Sequence, residues 1–281
     1  MRKKAKFNWS IWLIFLFFII VSFVMLLPLY YLILGSFRNS KDLFRFGMDL
    51  VIRPELMSLD NYKYILFGDG KIYLHWYKNS VLITFLFTIS SLFFSAMVGY
   101  ALGVYNFKGK NFVFVLVLFV MMIPLEILML PLYRLTVRFK IINTYSGVIL
   151  PFMVSPLAIF FFRQYASGLG KDFMAAGRID GCTEFGLYFK IMVPLMKPAF
   201  GAMTILLAMQ SWNSFVWPLI VLRTNQKFTL PIGLSSLMTP YGNNYDMLIA
   251  GAVLAIIPIV IVFLFNQRSF IAGLSAGGIK G

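Results

Sequence analysis

Three groups of residues in this chain could do chemistry, and none is a catalytic set. The first is Glu126, a lone carboxylate in an apolar run. The second is Gln210, Trp212 and Asn213, with Trp217 just beyond. The third is the stretch Lys171 to Pro198, KDFMAAGRIDGCTEFGLYFKIMVPLMKP, which sets Lys171, Arg178, Lys190 and Lys197 against Asp172, Asp180 and Glu184. No P-loop, GxSxG, HExxH or CxxC pattern occurs. The single cysteine, Cys182, excludes an internal disulfide or a cysteine metal cluster. The single histidine, His75, makes no metal site alone and reads as a surface or packing residue. Neither a metal nor a cofactor is expected in this chain, and any catalyst it needs is expected on another chain.

Each group has a sharper and a plainer reading. A carboxylate at mid-membrane costs a few kcal/mol, so Glu126 is expected either to face a substrate pathway or partner helix, or to sit near the outer end of its span, by Pro131 and Arg134, and reach headgroups. Amides beside indoles suit stacking on a sugar ring with hydrogen bonds to hydroxyls, which makes Gln210, Trp212 and Asn213 substrate-pathway candidates. The plainer reading is an interfacial tryptophan belt with amides joining helices, and Trp217, near a span end, is assigned to that belt.

The surrounding elements are membrane spans. Of 281 residues, 60% are hydrophobic and only 12% charged, against about a quarter charged in a soluble domain. A water-soluble fold could not bury this much apolar surface. The net charge of +15 fits basic residues flanking spans and meeting anionic headgroups, not nucleic acid, because no soluble basic domain exists to carry such binding. An all-α integral membrane fold is expected, with six spans at about 11–34, 80–105, 111–133, 146–162, 199–222 and 247–266, forming a single permease-like domain over 1–281. The acid-free basic start, MRKKAK, and the 24-residue run after it read as a first span with a cytosolic N-terminus, not a cleaved signal. Six spans then return the C-terminus to the cytosol. Residues 36–78, 134–145 and 223–246 become external loops, with Ser58 as a possible cap of a short helix. Pro124 and Pro131 predict a kink in the third span.

Between spans four and five, 171–198 reads as helix, turn, helix. Phe173 to Ile179 is short and Ala-rich. Gly181 supplies a turn residue, Asp180 is placed to cap the next helix, and Glu184 falls in its first turn. Phe185, Phe189 and Met192 recur at helical spacing and predict one apolar face. Pro194 and Pro198 are expected to stop the helix.

These residues resemble the cytoplasmic EAA loop of binding-protein-dependent ABC importer permeases, E-A-A-x-x-x-G, nine residues, then I-x-L-P. Ala176, Asp180, Gly181, Ile191 and Pro194 fall on it, with Val193 in place of Leu. Tyr100-Ala101-Leu102 through Gly109-Lys110, Asn143-Thr144 through Leu150-Pro151, Phe162-Arg163-Gln164, Trp212-Asn213 and the tail from Gly273-Leu274 to Gly281 are similar to the oligosaccharide-uptake branch, like the second permease of maltose-type systems. The pattern's Glu falls on Ala175 and its second Ala on Gly177.

The resemblance implies a bacterial plasma-membrane permease, not an enzyme. Its partners would be a second permease chain, two ATPase subunits carrying ATP and Mg, an extracellular or periplasmic sugar-binding protein, and the bilayer. Coupling to the ATPase would run through a helix at about Asp180 to Met192, with Ala175, Ala176, Arg178, Asp180, Gly181, Glu184, Phe185, Phe189, Lys190 and Pro194 as contact residues. Since Ala175 lacks the pattern's carboxylate, grip is expected from Phe185, Phe189, Arg178 and Lys190. The loop before the last span, Thr239, Pro240, Tyr241, Gly242, Asn243 and Asn244, would reach the binding protein. Other readings are a permease for another solute such as glycerol phosphate, and a stand-alone secondary transporter. Phosphate wants Arg or Lys lining the spans, and none lies in 80–105 or 199–222. Secondary transporters usually carry internal repeats, and none is visible here.

Overall fold

Backbone amides in lipid have no water to bond, so the apolar runs must satisfy them within helices. The computed structural model describes residues 9–46, 51–68, 71–169, 172–239 and 242–278 and is almost wholly helical. In chain order the helices are α1 Trp9–Ser36, α2 Ser40–Phe46, α3 Asp60–Phe67, α4 Ile72–Val104, α5 Lys110–Met122, α6 Leu125–Arg138, α7 Tyr145–Ile149, α8 Pro156–Gly168 and α9 Asp172–Ile179. There follow α10 Glu184–Gly186, a π-helical turn Leu187–Met192, α11 Val193–Leu195, α12 Lys197–Trp212, α13 Val216–Val221, α14 Leu230–Ser236 and α15 Tyr245–Gly278. A two-residue antiparallel ladder, β1 Met238–Thr239 with β2 Gly242–Asn243, precedes α15.

Three stretches are long and apolar enough to cross a bilayer unaided: Ile11–Ser36, Ile72–Val104 and Tyr245–Gly273. Three bent pairs complete six if each pair is one crossing. Lys110–Met122 and Leu125–Arg138 meet at 102°, Tyr145–Phe152 and Pro156–Gly168 at 43°, and Glu184–Leu195 and Lys197–Trp212 at 76°.

The helix boundaries depart from the sequence expectation in several places. Residues 72–79, expected in a loop, are the first two turns of α4. One face of those turns is buried, and its polar member is satisfied: Asn79 donates to Gln226 O at 2.8 Å and Phe228 O at 2.9 Å and accepts from Tyr145. The run 111–133 is not one kinked helix. Ile123, before Pro124, is extended (φ −82°, ψ 118°), because a following proline excludes the α region, and α6 restarts beyond it. Pro131 lies inside α6 without breaking it, and 134–138 are helical instead of loop. The run 199–222 is divided at Asn213 into α12 and α13. Helix α8 continues past 162 to Gly168. The tail from Gln267 is a continuation of α15 as far as Gly278.

The chain clusters into two compact units, Met1–Lys71 with Leu237–Leu254, and Ile72–Ser236 with Ala255–Gly281. In the first, Asn61 donates to the carbonyls of Ser36 (3.0 Å) and Arg38 (2.9 Å). Asp246 accepts from Ser40 N and Oγ at the start of α2. Ser58, expected as the cap of α3, stands one residue outside the N-cap Leu59 and still accepts from Asp60 N at 3.2 Å. In the first half of α1, from Ile11 to Ile20, every apolar side chain is exposed, as lipid permits.

In the second unit α4 is the central element. It packs on α8, α12 and α14 and buries Tyr73, Trp76, Ile83, Phe87, Ala96 and Tyr100. Trp76 is 1% exposed and donates Nε1 to Asn225. Helix α5, by contrast, has no buried residue.

Candidate functional site

The corner around Gly181 is built by backbone rules first. Helix α9 ends in a Schellman arrangement. Cys182 N donates to Gly177 O at 2.9 Å, Gly181 N donates to Arg178 O at 3.1 Å, and Gly181 takes φ +78°. The next helix starts two residues later, and its cap is Thr183, whose Oγ1 accepts from Gly186 N at 3.1 Å. Asp180, expected as that cap, is instead the last residue before the left-handed turn. It is too far upstream to reach the amides of α10, and it is exposed.

Glu184 lies in the first turn of α10, as its sequence position implies, and there it closes a clasp. Arg178 donates Nε to Glu184 Oε1 at 2.8 Å and Nη2 to Oε2 at 3.2 Å, a two-pronged pair. Tyr105, just past α4, donates its hydroxyl to Glu184 Oε2. Arg178 first, then Tyr105, holds the Glu184 carboxyl below the ordinary carboxylate range; the same pairing pushes the Arg178 guanidinium up. Behind the clasp, the Tyr100 and Tyr188 rings meet at 5.0 Å. A hollow of about 200 Å³ opens between Tyr100, Tyr105, Glu184, Phe185 and Tyr188.

The apolar face differs from the expected one. Met192 is buried (1% exposed) with Leu187 and Tyr188, whereas Phe185 is 70% and Phe189 49% exposed. The π turn widens the spacing, so Met192 rotates inward away from the two phenylalanines. Gly177 allows this packing: a Cβ there would lie 2.5 Å from Leu187 Cδ2 and 2.6 Å from Ile191 Cδ1. Pro194 does not stop the helix. It occupies the first turn of α11, where its missing N–H is tolerated, and the direction changes at Met196 instead. Ala175, Ala176, Arg178, Asp180, Gly181, Phe185, Phe189, Lys190 and Pro194 are all exposed, with Ile179 (85%) and Phe173 (49%) beside them. The result is a polar corner with a bare apolar surface.

The spans tell a different story. Trp212 is 5% exposed; its Nε1 donates to Ala255 O at 3.1 Å and its ring meets Tyr77 edge-on at 5.9 Å. Its faces are covered. Asn213 is exposed and ends α12 as its C-cap. Trp217, assigned to an interfacial belt, is 2% exposed and donates to Gly147 O at 3.3 Å, with Phe152 against its ring. It is a core residue, because α13 turns that side chain inward. Gln210 lines a cavity of about 80 Å³ with Ser211, Ser214, Trp217, Leu125 and Thr229. Glu126 is exposed in the first turn of α6, where the helix dipole favours it, and lies outside that lining.

Near α15, Asn244 Oδ1 accepts from Met247 N at 2.9 Å. Thr239, Gly242 and Asn243 form the short ladder, and Pro240 and Tyr241 lie outside the described residues. His75 is exposed on α4. Among the described residues no three His, Cys, Asp or Glu side chains group as metal ligands. The sequence reading missed Tyr100, Tyr105, Thr183 and Tyr188, the residues that hold the corner. Only Thr183, one residue before Glu184 and next to the Gly turn, carried a readable signal.

The chain is 59% identical over 266 residues to the arabinooligosaccharides transport system permease protein AraQ of Bacillus subtilis (strain 168), covering 95% of this chain and 94% of that one. It is 29% identical to the lactose transport system permease protein LacG of Rhizobium radiobacter, over 93% of each, and 31% identical to the sn-glycerol-3-phosphate transport system permease protein UgpE of Brucella abortus (strain 2308), over 91% of each. A chain from the crystal structure of a bacterial ABC transporter involved in the import of the acidic polysaccharide alginate shares the fold, with a TM-score of 0.81 over 94% of this chain and 99% of that one at 22% identity. A family model described as binding-protein-dependent transport system inner membrane component matches residues 95–274, more than half of the chain. The chain belongs to that family: it is a multi-pass plasma-membrane permease component of an ABC importer, whose ATP hydrolysis resides on separate subunits.

Proposed function

We propose that this permease carries oligosaccharides of pentose sugars, arabinose oligomers foremost, and that the 171–198 corner is where an ATPase subunit grips it. The sugar class rests on the 59% identity to an arabinooligosaccharide permease, far above the 31% to a glycerol-phosphate one. The observation that carries the coupling role is the exposure of Phe185 and Phe189 on a corner pinned by Arg178, Glu184 and Tyr105. An apolar pair on a rigid polar corner marks a protein contact. Its rigidity lets it act as a lever.

In this reading six crossings leave both termini in the cytosol, with the corner on the same side. A second, different permease chain completes the pathway. Two ATPase subunits bind ATP and Mg, and each receives one permease corner. An external binding protein delivers sugar to the loop 239–244. Nucleotide and delivered sugar each shift an inward–outward equilibrium by their differential affinity for the two states. Gln210 and Asn213 are the pathway contacts. Trp212 supports the helix behind them, and Glu126 stands at the pathway's edge.

The test is the reconstituted importer with arabinose oligomers and binding protein. Truncating a buried aromatic anchor commonly costs about 2 kcal/mol of binding, roughly thirtyfold in affinity. Phe185→Ala with Phe189→Ala is therefore expected to abolish sugar-stimulated ATP hydrolysis while the permease remains folded and inserted. Unchanged stimulation would sink the coupling role. Stimulation by glycerol 3-phosphate but not by arabinose oligomers would sink the substrate class.

A further inference from the structure

Where α4 ends and the chain turns into α5, the second unit carries a cleft of about 390 Å³ lined by Asn106, Gly109, Lys110, Asn111, Phe112 and Arg163. Its chemistry is cationic. The Arg163 guanidinium lies 3.5 Å from the centroid of the Phe114 ring, which fixes its plane. Its Nε is buried without a hydrogen-bond partner, and among the described residues no carboxylate is within ion-pair distance of it. Lys110 reaches the same cleft, with one of its ammonium protons donated to Tyr105 O at 2.8 Å. Gly109, the N-cap of α5, offers no side-chain cap, and Lys110 N donates instead to Phe107 O at 3.3 Å. Two cations and two carboxamides thus line one space with no acid in its lining to balance them. Such an arrangement favours an anion.

The surroundings say which anion. Helix α5 rises from the cleft with no buried residue, and Phe112, Val115, Leu116 and Phe119 are exposed along it. A soluble anion has no use for that surface, whereas an acyl chain does. We propose that this cleft binds the phosphodiester headgroup of an anionic phospholipid, with the acyl chain lying along α5. Arg163 and Lys110 take the phosphate oxygens, and Asn106 and Asn111 take the glycerol hydroxyls of the headgroup. The cleft adjoins the 171–198 corner through Tyr105, whose carbonyl accepts from Lys110 and whose hydroxyl donates to Glu184, and it does not depend on which sugar is carried.

The experiment uses the chain purified with its partner subunits from nanodiscs of equal phosphatidylglycerol and phosphatidylcholine, with the retained lipids quantified by native mass spectrometry. Retained phosphatidylglycerol is expected to exceed phosphatidylcholine by about fivefold or more, as two cations near a headgroup imply. Arg163→Gln with Lys110→Gln is expected to bring the ratio to that of the bulk lipid. Arg163→Lys with Lys110→Arg, and Lys108→Gln in the same turn but outside the cleft, are expected to keep the enrichment. Lys110→Gln alone preserves the stacked guanidinium, so it reads the loss even if the double variant fails to fold. Enrichment that survives both the double and the single neutral variant overturns the proposal. So does displacement of the lipid by millimolar inorganic phosphate, which would assign the cleft to a soluble anion.

Discussion

The Glu184 carboxylate accepts three hydrogen bonds, two from Arg178 and one from Tyr105, and this one side chain joins α9, α10 and the end of α4. Its proton affinity is lowered chiefly by Arg178 and then by Tyr105. A lowered folded value means that its contribution is complete above the ordinary carboxylate range and is lost as pH falls through the lowered one. Hydrogen-exchange protection of 178–186, corrected for intrinsic rate, is therefore expected to stay flat from neutrality to about pH 5 and to fall below it. Glu184→Gln should remove that acid-dependent step. Equal acid sensitivity in the variant would show that the clasp is not held by this carboxylate. Because the pair is exposed, overall stability should change little. The ATPase-coupling readout should change more, since a lever must be fixed at its root.

At the scale of elements, the corner is defined by two backbone features and one packing feature. Gly181 occupies a left-handed position at φ +78°. Gly181→Ala is expected to cost about 1 kcal/mol, because Cβ meets the carbonyl there, and to lower the unfolding midpoint by a few degrees. Thr183→Ala removes the α10 cap and should cost about 1 kcal/mol as well. Gly177→Ala meets the side-chain ends of Leu187 and Ile191, and overpacking of this kind costs about 1–3 kcal/mol unless those ends move. Thermal unfolding of the three variants tests the account, and a Gly181→Ala protein as stable as wild type would contradict it. The Gly turn, the two flanking helices and the position of Glu184 were readable in the sequence, because each follows from local backbone preference. The π turn was not. It arises where Leu187, Tyr188 and Met192 are all drawn into one core, a preference set by partners distant in sequence.

For the whole molecule, membership of the importer family places the energy source on other chains. Liposomes holding this chain alone are expected to accumulate no arabinose oligomer, with or without ATP. Addition of the second permease, the ATPase and the binding protein should restore uptake. Uptake by the chain alone would overturn the division of labour.

The sequence by itself determined the solvent, the helical class, the approximate runs and the family. Each is written in composition, apolar run length or local motif, all of which act without tertiary contacts. Only the tertiary structure decided that Trp212 and Trp217 are buried, because which face of a helix meets a neighbour depends on that neighbour. It also decided that Pro124 divides one run into helices at 102° while Pro131 divides nothing. And it decided that Ala175, standing where the pattern has an acid, leaves a corner whose single clasping carboxylate is Glu184. Glu184 lies nine positions beyond Ala175 in sequence, and it reaches its role only because the Gly181 turn folds α10 back beside Arg178.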